Sequence, residues 1–149
     1  MSDSQPTHHD AELILKLYDL RREPLMREAR AYFATLPANL DTFIAVATNP
    51  TTRENSYVRQ VCGYWEMVAA LVVHGTLNAA LVHDTCQEMH FVYAKIQPFL
   101  SDIREKAGMP ELLQNVQKIV EASPKASQRV ARLQLRFAAM APRMQVSND

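Results

Sequence analysis

From Thr52 to His74 the apolar residues at 58, 61, 65, 68 and 72 recur with heptad-like spacing, and Tyr57, Tyr64 and Leu71 add a second stripe. A helix that is apolar over so much of its circumference is surrounded by other helices. Gly75 suits a left-handed C-terminal cap. Asn78 suits the next N-cap, with Leu77 and Val82 placed as a hydrophobic staple. The following helix continues through Val82, Cys86, Met89, Tyr93, Ile96, Leu100 and Ile103, with a kink or break at Pro98 and an end at Gly108. Residues 52 to 106 therefore predict a central helical hairpin turning at Gly75-Thr76.

The flanking pattern is also helical. Asp10 is a candidate cap for a first helix with Leu13, Leu17 and Leu20 on one face and Ile14 beside them. Pro24 breaks that helix and starts a second, with Leu25, Ala29, Tyr32 and Leu36 at helical spacing. "TFIAVA" (42 to 47) fits a short helix or a strand, and without a partner strand it reads as a helical turn. Pro110 starts a helix to about Ala122, and Pro124 starts the last, to about Ala141. The fold class is all-α: a single-domain antiparallel bundle of about six helices. Residues 1 to 9 read as a disordered lead, 10 to 141 as the helical domain and 142 to 149 as a flexible tail.

At 149 residues the chain supports one domain with a core of its own. Three glycines disfavour a turn-rich β protein, and they cannot build a phosphate-binding loop. Cys62 and Cys86 fall within apolar helical patterns and read as buried free thiols in a reducing compartment. The longest apolar run is too short to span a bilayer and no export signal is visible, which places the protein in the cytoplasm and off the membrane. Zero formal charge removes a general case for nucleic-acid binding. The charge is uneven, however. Residues 1 to 121 carry eleven Lys/Arg against fifteen Asp/Glu, whereas the remainder carries five basic residues and one acid.

The segments "LYDLRREPLMREARAYF" and "YWEMVAALVVHGTLNAAL" resemble a family of small, uncharacterised, all-helical bacterial proteins, over roughly residues 12 to 105. The resemblance implies a compact helical domain and transfers no catalytic residue, substrate or cofactor.

One charge interrupts the apolar run "VCGYWEMVAALVVHG": Glu66. On a helical wheel it lies about 100° from the Trp65 face, on an edge with Arg59, Gly63 and Ala70. Arg21, Arg22 and Arg104 are candidate tertiary ion-pair partners, and the small residues would admit another backbone. A hairpin about Gly75 sets Cys62 level with His90 and Glu66 level with Cys86, while His83, Cys86 and His90 share a helix edge. These are ligand types for zinc or iron. Yet His83 and His90 are two turns apart, and neither His-x-x-x-His nor Glu-x-x-His occurs. The expectation is a structural Glu66, no metal and no cofactor.

In the last helix Lys125, Arg129, Arg132 and Arg136 are spaced four, three and four, which predicts a basic ridge beside an apolar face of Val130, Leu133, Phe137 and Met140. The leading expectation is a non-enzymatic bundle that binds a partner protein, its own copy or a small apolar ligand. The ridge is the candidate partner-binding site. The alternative is a metal-binding or small-ligand-binding helical enzyme using Glu66 with His83, Cys86 or His90.

Overall fold

Polar residues start most of the helices. Thr7 caps α1 (His8–Arg21), Glu23 caps α2 (Pro24–Thr35), Asn39 caps α3 (Leu40–Ala47), Thr52 caps α4 (Arg53–Val73) and Asn78 caps α5 (Ala79–Thr85). In each case the side chain accepts a hydrogen bond from a free N–H of the first turn. Then follow α6 (Gln87–Ile96), a 3-10 turn over Gln97–Phe99, α7 (Leu100–Lys106), α8 (Gln114–Glu121) and α9 (Pro124–Val146). The computed structural model describes residues 4 to 146, with side chains to 141. Among these there is no strand.

Gly75 and Gly108 end α4 and α7 in the left-handed region, at φ +77° and +65°. In both ends the next residue's N–H returns to a carbonyl a full turn back, Thr76 to Leu71 and Met109 to Arg104. This is the Schellman arrangement that a glycine makes accessible.

The all-α bundle matches the expected class, with α4 at its centre. One side of α4 packs on α2 and another on α8, while α6 packs mainly on α9 and α3 lies against α7. Trp65, Phe33, Met89, Ile119 and Leu113 are the large side chains that fill the interior. Leu77 and Val82 are both buried, as the staple requires.

Several details differ from expectation. The second arm of the hairpin is not one helix but α5, α6, the 3-10 turn and α7. Pro98 accounts for the 3-10 turn, whereas the break at Cys86 (φ −109°, ψ 55°) has no glycine or proline to announce it. α1 begins before Asp10, because Thr7 and Asp10 form a reciprocal capping box. Residues 4 to 9 are thus placed by contacts: the Ser4 carbonyl accepts from Asn78 Nδ2 at 2.7 Å. Leu20 and Leu25 face outward, and Met26 and Phe33 take the buried side of α2. "TFIAVA" lies within the helix α3. α8 starts at Gln114 rather than Pro110, and α9 runs on to Val146. The outermost residues of the expected lead and tail, 1 to 3 and 147 to 149, lie outside the described residues.

Candidate functional site

A bundle of many short helices has many ends, and each end leaves N–H or C=O groups without intrahelical partners. Glu66 answers one of them. α8 follows Leu113, which sits at φ +52° and buries its own side chain, so it offers no local cap. Glu66 reaches across from α4 instead. Its Oε1 accepts from the Asn115 N–H and Nδ2, both at 2.8 Å, and its Oε2 accepts from the Val116 N–H at 3.2 Å. These are the second and third residues of α8, where an N-cap side chain normally bonds. A carboxylate there also faces the positive end of the helix dipole. Among the described residues Glu66 pairs with none of the expected arginines. Gly63 has open space where a Cβ would stand, so among the described residues no second backbone comes close to it.

Other buried polar side chains serve helix ends in the same way. Lys95 sits among the rings of Phe33, Phe91 and Phe137, with Nζ 5.0–5.9 Å from their centroids. It donates to the carbonyls of Phe33, Ala34 and Leu36 at 2.8, 3.1 and 2.9 Å, closing the C-terminal end of α2. Burial pulls its pKa down to about 8, while three carbonyls call for all three ammonium protons. Asn55 Nδ2 donates to Val46 and Ala47 at the end of α3. Asp10 accepts from the Asn78 N–H before α5, and Arg104 donates to the Leu112 carbonyl before α8.

The break at Cys86 changes the geometry of the histidines. Two turns apart on a straight helix, they would not meet. Folded about Cys86, His83 Nδ1 and His90 Nε2 lie 2.9 Å apart with stacked rings. His83 Nε2 faces the Ile119 carbonyl at 3.2 Å, and Arg129 Nη1 lies 2.9 Å from His90 Nδ1 and donates to the His83 carbonyl at 2.7 Å. One assignment satisfies every atom. Arg129 donates to His90 Nδ1, His90 Nε2–H donates to His83 Nδ1, and His83 Nε2–H donates to Ile119. Both rings are then neutral. Burial, the neighbouring ring and the Arg129 charge push the His90 pKa down to about 3, and burial lowers that of His83. With this assignment every ring nitrogen is occupied, leaving no lone pair for a metal.

Glu66 has no hydrogen bond or ion pair to His83, Cys86 or His90 among the described residues. The Cys86 thiol lies 3.6 Å from Thr85 Oγ1. Among the described residues no group of three or more His, Cys, Asp or Glu side chains is placed to hold a metal ion.

Sequence reasoning missed the ion cluster at Glu88. Its carboxylate accepts from Arg21 at 3.0 Å, from Arg30 at 2.6–2.9 Å and from the indole N–H of Trp65 at 3.3 Å. Arg21 also lies over the Trp65 ring. A buried tryptophan needs an acceptor for its N–H, and Glu88, in the first turn of a neighbouring helix, was the available signal.

The basic ridge is divided. Arg129 turns inward to His83 and His90, which takes it out of the expected basic ridge. Lys125 pairs with Asp84 at 2.7 Å on the surface. Arg132 and Arg136 are exposed, and neither has an ion pair among the described residues. Of the apolar face, Val130 is buried and Leu133 and Phe137 are half-buried, but Met140 is out in solvent.

The architecture defines a small all-helical domain, and among the described residues no helix is long and apolar enough to cross a membrane. The chain belongs to the family described as "Domain of unknown function (DUF4760)", which it matches over residues 6–123. α9 lies beyond that match. No curated protein and no solved structure matches the chain.

Proposed function

We propose that the protein works by binding a protein surface, in the first instance that of a second copy, through the outer face of α9. The observation that carries this reading is the set of side chains on that face. At 100° per residue Arg132, Leu135, Arg136, Ala139 and Met140 share one side, and all are exposed, Leu135 to 73% and Met140 to 51%. Two cations without ion pairs among the described residues, beside two large apolar side chains, suit an acidic surface with apolar patches. Residues 1 to 121 of a second copy sum to minus four. They also expose Leu15, Tyr18, Leu20 and Leu25 on α1 and α2.

The test is sedimentation velocity of the full chain at low and high salt, comparing wild type with the double variant Arg132→Glu, Arg136→Glu. Both residues are exposed, so folding should survive the change. The wild type should associate at low salt and dissociate as salt rises, and the variant should stay monomeric throughout. A wild type that is monomeric at low salt and high concentration, or a variant that associates equally well, contradicts the reading.

A further inference from the structure

A cavity of about 260 Å³ opens between α3, α4 and α7, away from the face of α9 just described. It exists because α3 is only eight residues long, because Ala47 and Ala107 are small, and because α7 stops at Gly108 before α8 begins at Gln114. Its walls are apolar: Phe43 from α3, Val58 from α4, Ile96, Ile103 from α7 and Leu112. The Cys62 thiol is also in the lining, but burial pushes its pKa up to about 12, so it contributes as an apolar group rather than a nucleophile.

Two polar side chains break this lining. Arg59 is the single charged residue among the twelve described residues that line the cavity. It is exposed, and it has neither ion pair nor hydrogen bond among the described residues. Arg21, Arg30, Arg104 and Arg129, by contrast, are all engaged by side chains or carbonyls. Asn55 is the second. The hydrogen bonds of its Nδ2 to Val46 and Ala47 fix the amide, and its Oδ1 is buried with no donor among the described residues. Folded proteins leave few such acceptors open. Small-molecule sites commonly combine apolar walls with a few polar groups that fix orientation.

From the apolar walls and the unengaged Arg59 we infer that the cavity binds a small amphipathic carboxylic acid, its hydrocarbon body between α3, α4 and α7 and its carboxylate on the Arg59 guanidinium. Asn55 Oδ1, an acceptor, takes no part in holding the acid, because an ionised carboxylate has no proton to donate. The size limits the guest. One water occupies about 30 Å³ in the liquid, so the space suits a medium-length acyl chain or a single ring, not a two-chain lipid.

The experiment is calorimetric titration of the full chain with octanoate, and with octanol as the uncharged comparator. Octanoate should bind one to one, and more tightly than octanol. Arg59→Ala should weaken octanoate about tenfold or more, the worth of a hydrogen bond to a charged group, and leave octanol unchanged. Arg59→Lys should recover part of the loss. Ala107→Phe, or Ala47→Phe if the first does not fold, should fill the space and abolish binding of both molecules without lowering the melting temperature by more than a few degrees. Failure of octanoate to bind at millimolar concentration overturns the inference. So does octanoate binding that is indifferent to Arg59→Ala, or binding that persists in a folded, cavity-filled variant.

Discussion

Acid should weaken this fold well before its carboxylates are protonated. His90 has no exposed surface and is neutral in the folded chain, with its pKa lowered from 6.5 to about 3. Below pH 6.5 the unfolded chain takes up a proton that the folded chain refuses until about pH 3. The unfolded state then binds more protons, so stability falls as pH falls, by about 1.4 kcal/mol per pH unit for one such group. Between pH 6.5 and about pH 4.5 the loss from His90 is on the order of 3 kcal/mol, a large share of the 5–15 kcal/mol typical of a domain. His83 is shifted the same way and adds to it. Asp10, Asp84 and Glu88 are held below their usual values and contribute losses mainly at lower pH. The assay is urea unfolding at steps between pH 7 and about pH 4.5, on wild type and on His90→Gln. Glutamine can accept from Arg129 and donate to His83 while having no proton to gain. Wild type should lose stability steeply in this window, and His90→Gln should lose about 3 kcal/mol less. Equal pH slopes for the two proteins would refute the buried, neutral histidine pair.

Lys95→Met keeps the apolar stem but strips three carbonyls at the end of α2 of their donor, and should cost about 2–4 kcal/mol in urea unfolding; a change below 0.5 kcal/mol, the usual bound for a surface substitution, would mean that water replaces the cap. Glu88→Ala leaves Arg21 and Arg30 facing each other with side chains 16% and 28% exposed, and should cost about 3 kcal/mol. Breaking the Lys125–Asp84 pair, more than half exposed on both sides, should cost little or nothing measurable; similar losses for the two pairs would show that burial does not set their worth. Cys62 and Cys86 are buried with raised pKa values, so neither thiol should react promptly with a disulfide reagent until urea is added, and immediate reaction of either in native protein would contradict its placement.

Much of the helical layout is legible from the chain. Gly75, Asn78, Leu77 and Val82 carry local signals for an end, a start and a staple, and each acts within a few residues of itself. The polar site is less legible, because its partners are remote. A helical wheel puts Glu66 on an edge of α4 but cannot say that the start of another helix, 49 residues on, lies against that edge. It cannot distinguish Arg129, turned in toward His90, from Arg132 one turn further on, because both occupy a basic stripe at similar angles. The apolar pattern runs unbroken through Cys86, so the bend that joins His83 to His90 is a product of tertiary packing. The Thr7 cap was readable as Thr-x-x-Asp, but the polar residues before it resemble a disordered lead.

Several charges inside this bundle close helix ends, and Glu66 is the leading case. Amide hydrogen exchange, followed residue by residue in wild type and Glu66→Ala, is the decisive measurement. Asn115 and Val116 should lose protection in the variant by about tenfold or more, the worth of a hydrogen bond to a charged group. Amides in the middle of α4, around Trp65, should change only as much as global stability does. Unchanged protection at Asn115 and Val116 would show that Glu66 does not cap α8, and so would a loss spread evenly over the whole chain.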